Sequence, residues 1–208
     1  MAALILKAHL TDARALATVA RRLAETPPID LLVNNAGIGT FGDFAQSDLA
    51  RERRILDVNV VALAELTHAA LGAMTTRGSG TIINVSSLDG LQPAPHHATY
   101  GASKAFVNSF SASLHHESRG SGVTITNVMP GYVRTEFTRT AGIDGALDGV
   151  PSWMVLTPEQ VAHQALNGAA AGRAVVVPGR AYRASAGVLS MLPSRVGRRI
   201  FSRLAPGQ

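Results

Sequence analysis

Apolar positions along the chain follow two alternating periods. Short apolar runs fall at Ala2–Leu10, Ile29–Val33, Thr81–Ser87, Val123–Met129 and Ala174–Val177, a length and composition that predict strands. Between them apolar residues recur every three or four positions, which predicts amphipathic helices. Ala13–Ala24 is expected to be a helix capped by Thr11, and Ser47–Met74 one striped by Ile55, Leu56, Val58, Val61, Ala62, Leu66 and Leu71. Tyr100–Glu117 turns Val107, Phe110 and Leu114 inward, and Thr157-Pro158-Glu159 opens a last helix to about Ala171. Pro27-Pro28, Gly78-Ser79-Gly80, Gly120-Ser121-Gly122 and Pro130-Gly131 are the breaks. Strands alternating with helices predict an α/β fold with a parallel sheet covered on both faces. Ligands in such sheets bind at the strand carboxyl ends, where Asn34–Gly39, Ser86-Ser87 and Pro130-Gly131 fall.

Composition adds limits to this pattern. A chain of 208 residues with 46% hydrophobic content can bury one full core, expected over residues 1–179. Without cysteine there are no disulfides, zinc-thiolate sites or cysteine nucleophiles, and a reducing cytoplasm suits the chain. The net charge of +5 is local, because six arginines and no acid follow from Arg180 onward. Residues 180–208 therefore read as a basic helical extension, striped by Val196, Ile200 and Leu204, that packs on the domain or touches a membrane surface weakly. No nucleic-acid module accompanies the charge, so no nucleic-acid partner is expected. The apolar opening is broken by Lys7 and His9 and reads as a buried strand, neither a signal peptide nor a membrane span. The long loop from Tyr132 to Leu156, with Pro151 and Trp153, reads as a binding lid.

The candidate chemistry centres on Tyr100 and Lys104. One helical turn apart, they share a face, and the ammonium is expected to bias the phenol toward ionisation. The chain has only two lysines, Lys7 and Lys104, and three tyrosines, so a chance pairing at this spacing is rare. Ser87, at the end of a central strand, is a third polar group for the same site. His96 and His97, in the loop just before Tyr100, are either pocket-lining or, the favoured reading, surface histidines, and His115-His116-Glu117 reads as a solvated helix end without a metal partner.

Five features then occur in order: Asn34-Asn35-Ala36-Gly37, Asn59, Ser87, Tyr100-x-x-x-Lys104 and Pro130-Gly131-x-Val133-x-Thr135. Together they make the chain from Leu4 to about Gly179 resemble the short-chain dehydrogenase/reductase family. The resemblance implies a Rossmann-type doubly wound parallel sheet. It implies NAD(P)-dependent hydride transfer between nicotinamide and a carbonyl or alcohol substrate, with Tyr100 as acid/base. Lys104 would assist the phenol and hold the nicotinamide ribose, Ser87 would hydrogen-bond the substrate oxygen, and Asn59 would help hold a water. Asn35, Ala36 and Gly37, together with Tyr100, Lys104, Pro130, Gly131, Val133 and Thr135, would bind NAD or NADP, with NADP slightly favoured. The Phe137–Trp153 loop would close over the substrate. Homodimers or homotetramers through helices 47–74 and 100–117 are also implied.

Three departures accompany the resemblance. The family's Gly-rich phosphate loop and the strand after it are absent, so the sheet is expected to be N-terminally incomplete, without its first two strands and helices. Met1–Leu10 would be the family's third strand, either orphaned or paired directly with Ile29–Val33. His9 stands where members carry an aspartate that contacts the adenine, and the basic extension is the third departure. A catalytically inactive remnant acting as a dimerising or scaffold protein is the alternative reading.

Overall fold

Ile82 and Ile83 point to opposite faces of one strand and both are fully buried, which requires a helical layer on each side. In the computed structural model, which describes residues 5–142, 145 and 147–191, that strand is β2 (Gly80–Val85). Among the described residues the sheet is parallel and four-stranded, in the order β1 (Leu31–Asn34), β2, β3 (Val123–Val128), β4 (Val175–Val176). On one face Ala70 and Met74 of α3 (Leu63–Arg77) pack on Ile82 and Ile125, with Leu23 of α1 (Ala13–Ala24) and Leu114 of α4 (Ala98–Glu117) alongside. On the other, Ala165 and Ala169 of α6 (Pro158–Ala170) pack on Ile83, Val128 and Val176. This is the α/β fold with a doubly covered parallel sheet that the alternating periods predict, and the Rossmann type that the family resemblance implies.

Local chemistry sets the helix ends. Thr157 and Gln160 form a reciprocal capping box over α6, with Pro158 at its first position. The cap of α1 is Asp12 rather than Thr11, since it is the Asp12 carboxylate that accepts the Ala15 N–H at 2.8 Å. α2 (Leu49–Leu56) starts at Asp48 and passes through a π-helical turn, Asp57–Ala62, into α3. Leu49–Arg77 is apolar and long enough to cross a membrane by length and composition, yet Leu66, Ala70 and Met74 are buried as in a core helix. His115 is not solvated as expected: its Nδ1 donates to the Ile125 carbonyl at 2.8 Å, joining α4 to β3.

The described part of the first predicted strand, Ile5–Leu10, is no strand. An extended segment becomes a strand only by ladder hydrogen bonds to a neighbour, and none joins these residues to β1. Leu10 still packs near Leu16, Ala62 and Leu66, and Leu6, Ala8 and Leu10 line a cavity of about 300 Å³ with Leu32 and Leu63, while Ile5 is 86% exposed. The segment is orphaned, one of the two outcomes expected for it, and among the described residues no strand pairs with the outer edge of β1. The loop after β3 carries a short helix, α5 (Phe137–Thr140), and returns through a parallel bridge between Val133 and Leu156. α7 (Arg180–Met191) sets Tyr182 and Ala186 into a cluster with Leu88, Met129, Leu156 and Val177. The Val196, Ile200 and Leu204 stripe lies outside the described residues.

Candidate active site

β2 delivers two serines to the sheet's carboxyl end, and each takes a different task. Ser86 is buried, and its hydroxyl donates to the Lys104 carbonyl at 2.9 Å, fixing the strand end to α4. The Ser87 hydroxyl accepts the Asp89 N–H at 3.1 Å and hydrogen-bonds the Tyr100 phenol. Lys104 is 5% exposed, donates from Nζ to the Val85 carbonyl at 2.9 Å, and lies 5.6 Å from the Tyr100 ring centroid.

Burial governs the charges of both residues. It pushes the Lys104 ammonium down to about 8. It also raises the Tyr100 phenol well above its ordinary 10.0; the Asp89 carboxylate adds to the rise and the Ser87 hydrogen bond opposes it. The expected bias toward an ionised phenol is thus reversed. A closed apolar surround penalises phenolate and ammonium alike, and here that penalty is the dominant effect on each.

Asn59 reaches the site from the π-helical turn and is 1% exposed. Its Nδ2 donates to the Ile38 carbonyl at 2.9 Å and to Ser103 Oγ at 3.0 Å, and its Oδ1 accepts the Ile38 N–H at 3.0 Å. One side chain therefore holds the loop after β1 against α4. Gly37 on that loop lies beside both side chains: a Cβ there would be 3.4 Å from Lys104 Nζ and 3.5 Å from Asn59 Oδ1, in ordinary contact.

The remaining predicted positions are more dispersed. Asn35 and Ala36 are exposed past the end of β1. Pro130 is buried and its carbonyl accepts the Leu88 N–H at 3.2 Å, while Gly131 lies under the Tyr182 ring with no room for a Cβ. Val133 pairs with Leu156, and the exposed Thr135 accepts the Phe137 N–H at 3.3 Å and so starts α5. The structure gathers Gly37, Asn59, Ser87, Tyr100 and Lys104 into one cluster, with Val133 and Thr135 on the separate segment leading to α5.

Phe41, Asp89 and His97, from outside the predicted site residues, and Phe137, from the loop expected to close over the substrate, join that cluster. His97 is no surface histidine: its side chain is 15% exposed, and its Nδ1 lies 3.3 Å from Asp89 Oδ2. Its ring stands edge-on to Tyr100 at 5.7 Å and to Phe41 at 5.0 Å, and Phe137 lies over Tyr100 at 5.4 Å. His97 had one sequence signal, its place three residues before Tyr100 at the entry to α4. His96 does sit outside, paired with Asp43 at 3.0 Å.

A family model described as short chain dehydrogenase matches residues 1–144. Sulfoacetaldehyde reductase 2 of Chromohalobacter salexigens is 40% identical over 144 residues, covering 67% of this chain and 57% of the relative. Acetoacetyl-CoA reductase of Allochromatium vinosum is 33% identical over 138 residues, 65% of this chain and 56% of that protein. The chain thus spans little more than half the length of these relatives. Among solved structures, a short-chain dehydrogenase from Sphingobium yanoikuyae in complex with NADPH superposes with a TM-score of 0.79 at 32% identity, over 98% of this chain and 76% of that one.

Proposed function

The chain belongs to the short-chain dehydrogenase family, and from that premise we propose that it is an NAD(P)-dependent oxidoreductase interconverting a carbonyl and an alcohol. The observation that carries this reading is the buried phenol of Tyr100, hydrogen-bonded to Ser87 with Lys104 and Asn59 around it. A phenol raised in this way is held protonated near neutral pH, the form that donates to a carbonyl oxygen becoming an alkoxide. Ser87 is the second donor to that oxygen, stabilising its developing charge. Lys104 and Asn59 keep the loop and α4 in place around the acid and lead the replacement proton to it. The nicotinamide, when bound, supplies or takes the hydride.

The residues present fit the cofactor where the loop after β1, clasped by Asn59 at Ile38, brings Gly37 beside Lys104 at the sheet's carboxyl end. Asn35, Ala36, Gly37, Tyr100, Lys104, Pro130, Gly131, Val133 and Thr135 would hold NAD or NADP, with NADP slightly favoured by the company of NADPH in the Sphingobium structure. Self-association through α2–α3 and α4 is part of the same reading, because Leu49, Leu56, Val61 and Phe106 are exposed on those helices. A cytoplasmic location agrees with the absence of cysteine.

The test is NADPH and NADH oxidation with a panel of ketones and aldehydes, alongside calorimetric titration of both dinucleotides. Turnover that disappears in Tyr100→Phe is the expected result. No turnover and no dinucleotide affinity would leave the dimerising remnant instead.

A further inference from the structure

We infer that the substrate is an uncharged carbonyl compound bearing an aromatic or similarly flat apolar group, seated among Phe41, His97 and Phe137 beside Tyr100. This rests on the oxidoreductase reading of the site. The rings form one continuous file: Phe41 to His97 at 5.0 Å, His97 to Tyr100 at 5.7 Å, Tyr100 to Phe137 at 5.4 Å. Phe137 lies over the phenol that must reach the carbonyl, so the group already resting at the proton donor is an aromatic ring. A Cβ on Gly39 would come within 3.0 Å of Phe137 Cζ and 3.2 Å of Tyr100 Cδ2, so the Gly39 backbone lies close against both rings.

The charges at the wall point the same way. Asp89 is the acid that acts on Tyr100, and it stands behind His97, with Nδ1 3.3 Å from Oδ2. Lys104 is committed to the Val85 carbonyl, His96 to Asp43, and Arg139 to Glu136 at 2.9 Å. The Asp89 carboxylate beside His97 opposes a sulfonate or phosphate on the substrate at this wall, whereas a neutral aryl group meets ring faces and edges. By this argument the substrate differs from the small sulfonated aldehyde in the name of the Chromohalobacter relative.

Saturation-transfer NMR titration with acetophenone and with isethionate, a hydroxyalkyl sulfonate, tests the inference without turnover. Acetophenone should bind at least about tenfold more tightly than isethionate, and Phe41→Ala should weaken acetophenone by roughly three- to tenfold, the size of one aromatic pair. Phe41 is partly exposed on a loop, so its truncation leaves the core alone, and circular dichroism verifies the fold. Equal or tighter isethionate binding, no acetophenone binding, or an unchanged Phe41→Ala variant would overturn the inference. Acetophenone that binds in a Phe41-dependent way but is reduced with neither dinucleotide would instead sink the oxidoreductase reading and keep the ligand class.

Discussion

Asn34, Asn84 and Asn127 stand in one row of the sheet register and all three are buried, whereas Leu31 and Val33, on the outer edge of the same β1, are 39% and 45% exposed. In the row, Asn34 donates to Thr67 and Asn84, Asn84 to Ser111 and Asn127 to Asn108, each at 2.9–3.0 Å. Side chains thus tie three strands to α3 and α4 just beneath Ser87, Tyr100 and Lys104. At the edge, no ladder holds Ile5–Leu10 to β1, and Asn35 and Ala36 emerge there exposed. The difference teaches that the surroundings of Tyr100 and Lys104 are fixed by the centre of the molecule, while Asn35 and Ala36, two of the residues proposed for the dinucleotide, sit on its exposed margin.

Four measurements would break or sharpen this contrast. Tyr100→Phe should lower carbonyl reduction by about 10³-fold or more while leaving the melting temperature nearly unchanged, because only a proton donor is lost. A residual rate near wild type would remove the centre's claim to the chemistry. Asn84→Ala should cost roughly 2 to 3 kcal/mol in urea unfolding, since it strands the amide of Asn34 and the hydroxyl of Ser111 in the core. A loss below 0.5 kcal/mol, on the order of a surface change, would mean the row is decoration.

A smaller effect comes from pH. Burial brings the folded Lys104 ammonium down to about 8 from its ordinary 10.5, so between those values the unfolded chain binds more protons and stability rises with pH. Tyr100 acts oppositely and only above about 10, where the folded phenol keeps a proton that the unfolded one has lost. Unfolding midpoints should climb from pH 8 to 9.5, by roughly 1 to 2 kcal/mol, and flatten in Lys104→Met. Least of all, Val33→Lys on the open edge should change stability by no more than about 0.5 kcal/mol, while reducing any concentration-dependent association measured by light scattering.

The centre was also the more legible region. Thr81–Val85 reads as a doubly covered strand, Thr157-Pro158 as a helix start, and Tyr100 and Lys104 share a face by spacing alone. The edge misled at Ile5–Leu10, because an apolar run looks the same whether or not a neighbouring strand supplies its hydrogen bonds. Within the site, His97 passed for a surface residue because its burial depends on Phe41, more than fifty positions earlier in the chain, and on Asp89 across a loop. The phenol's direction of shift was missed for a similar reason: spacing shows the lysine beside it but not the depth of the pocket that encloses both.

The π-helical turn at Asp57–Ala62 has a consequence for helix phase. Each residue of an ordinary helix turns about 100°, so the wider turn resets which stripe faces inward between Ile55 and Leu66. Asn59 lies within that reset, which is how a residue on a core helix comes to aim its amide at Ile38 and Ser103. Deleting a single residue from the turn would make the helix more regular and swing that amide a quarter of the way round its axis, unclasping the loop from α4 without touching either of them.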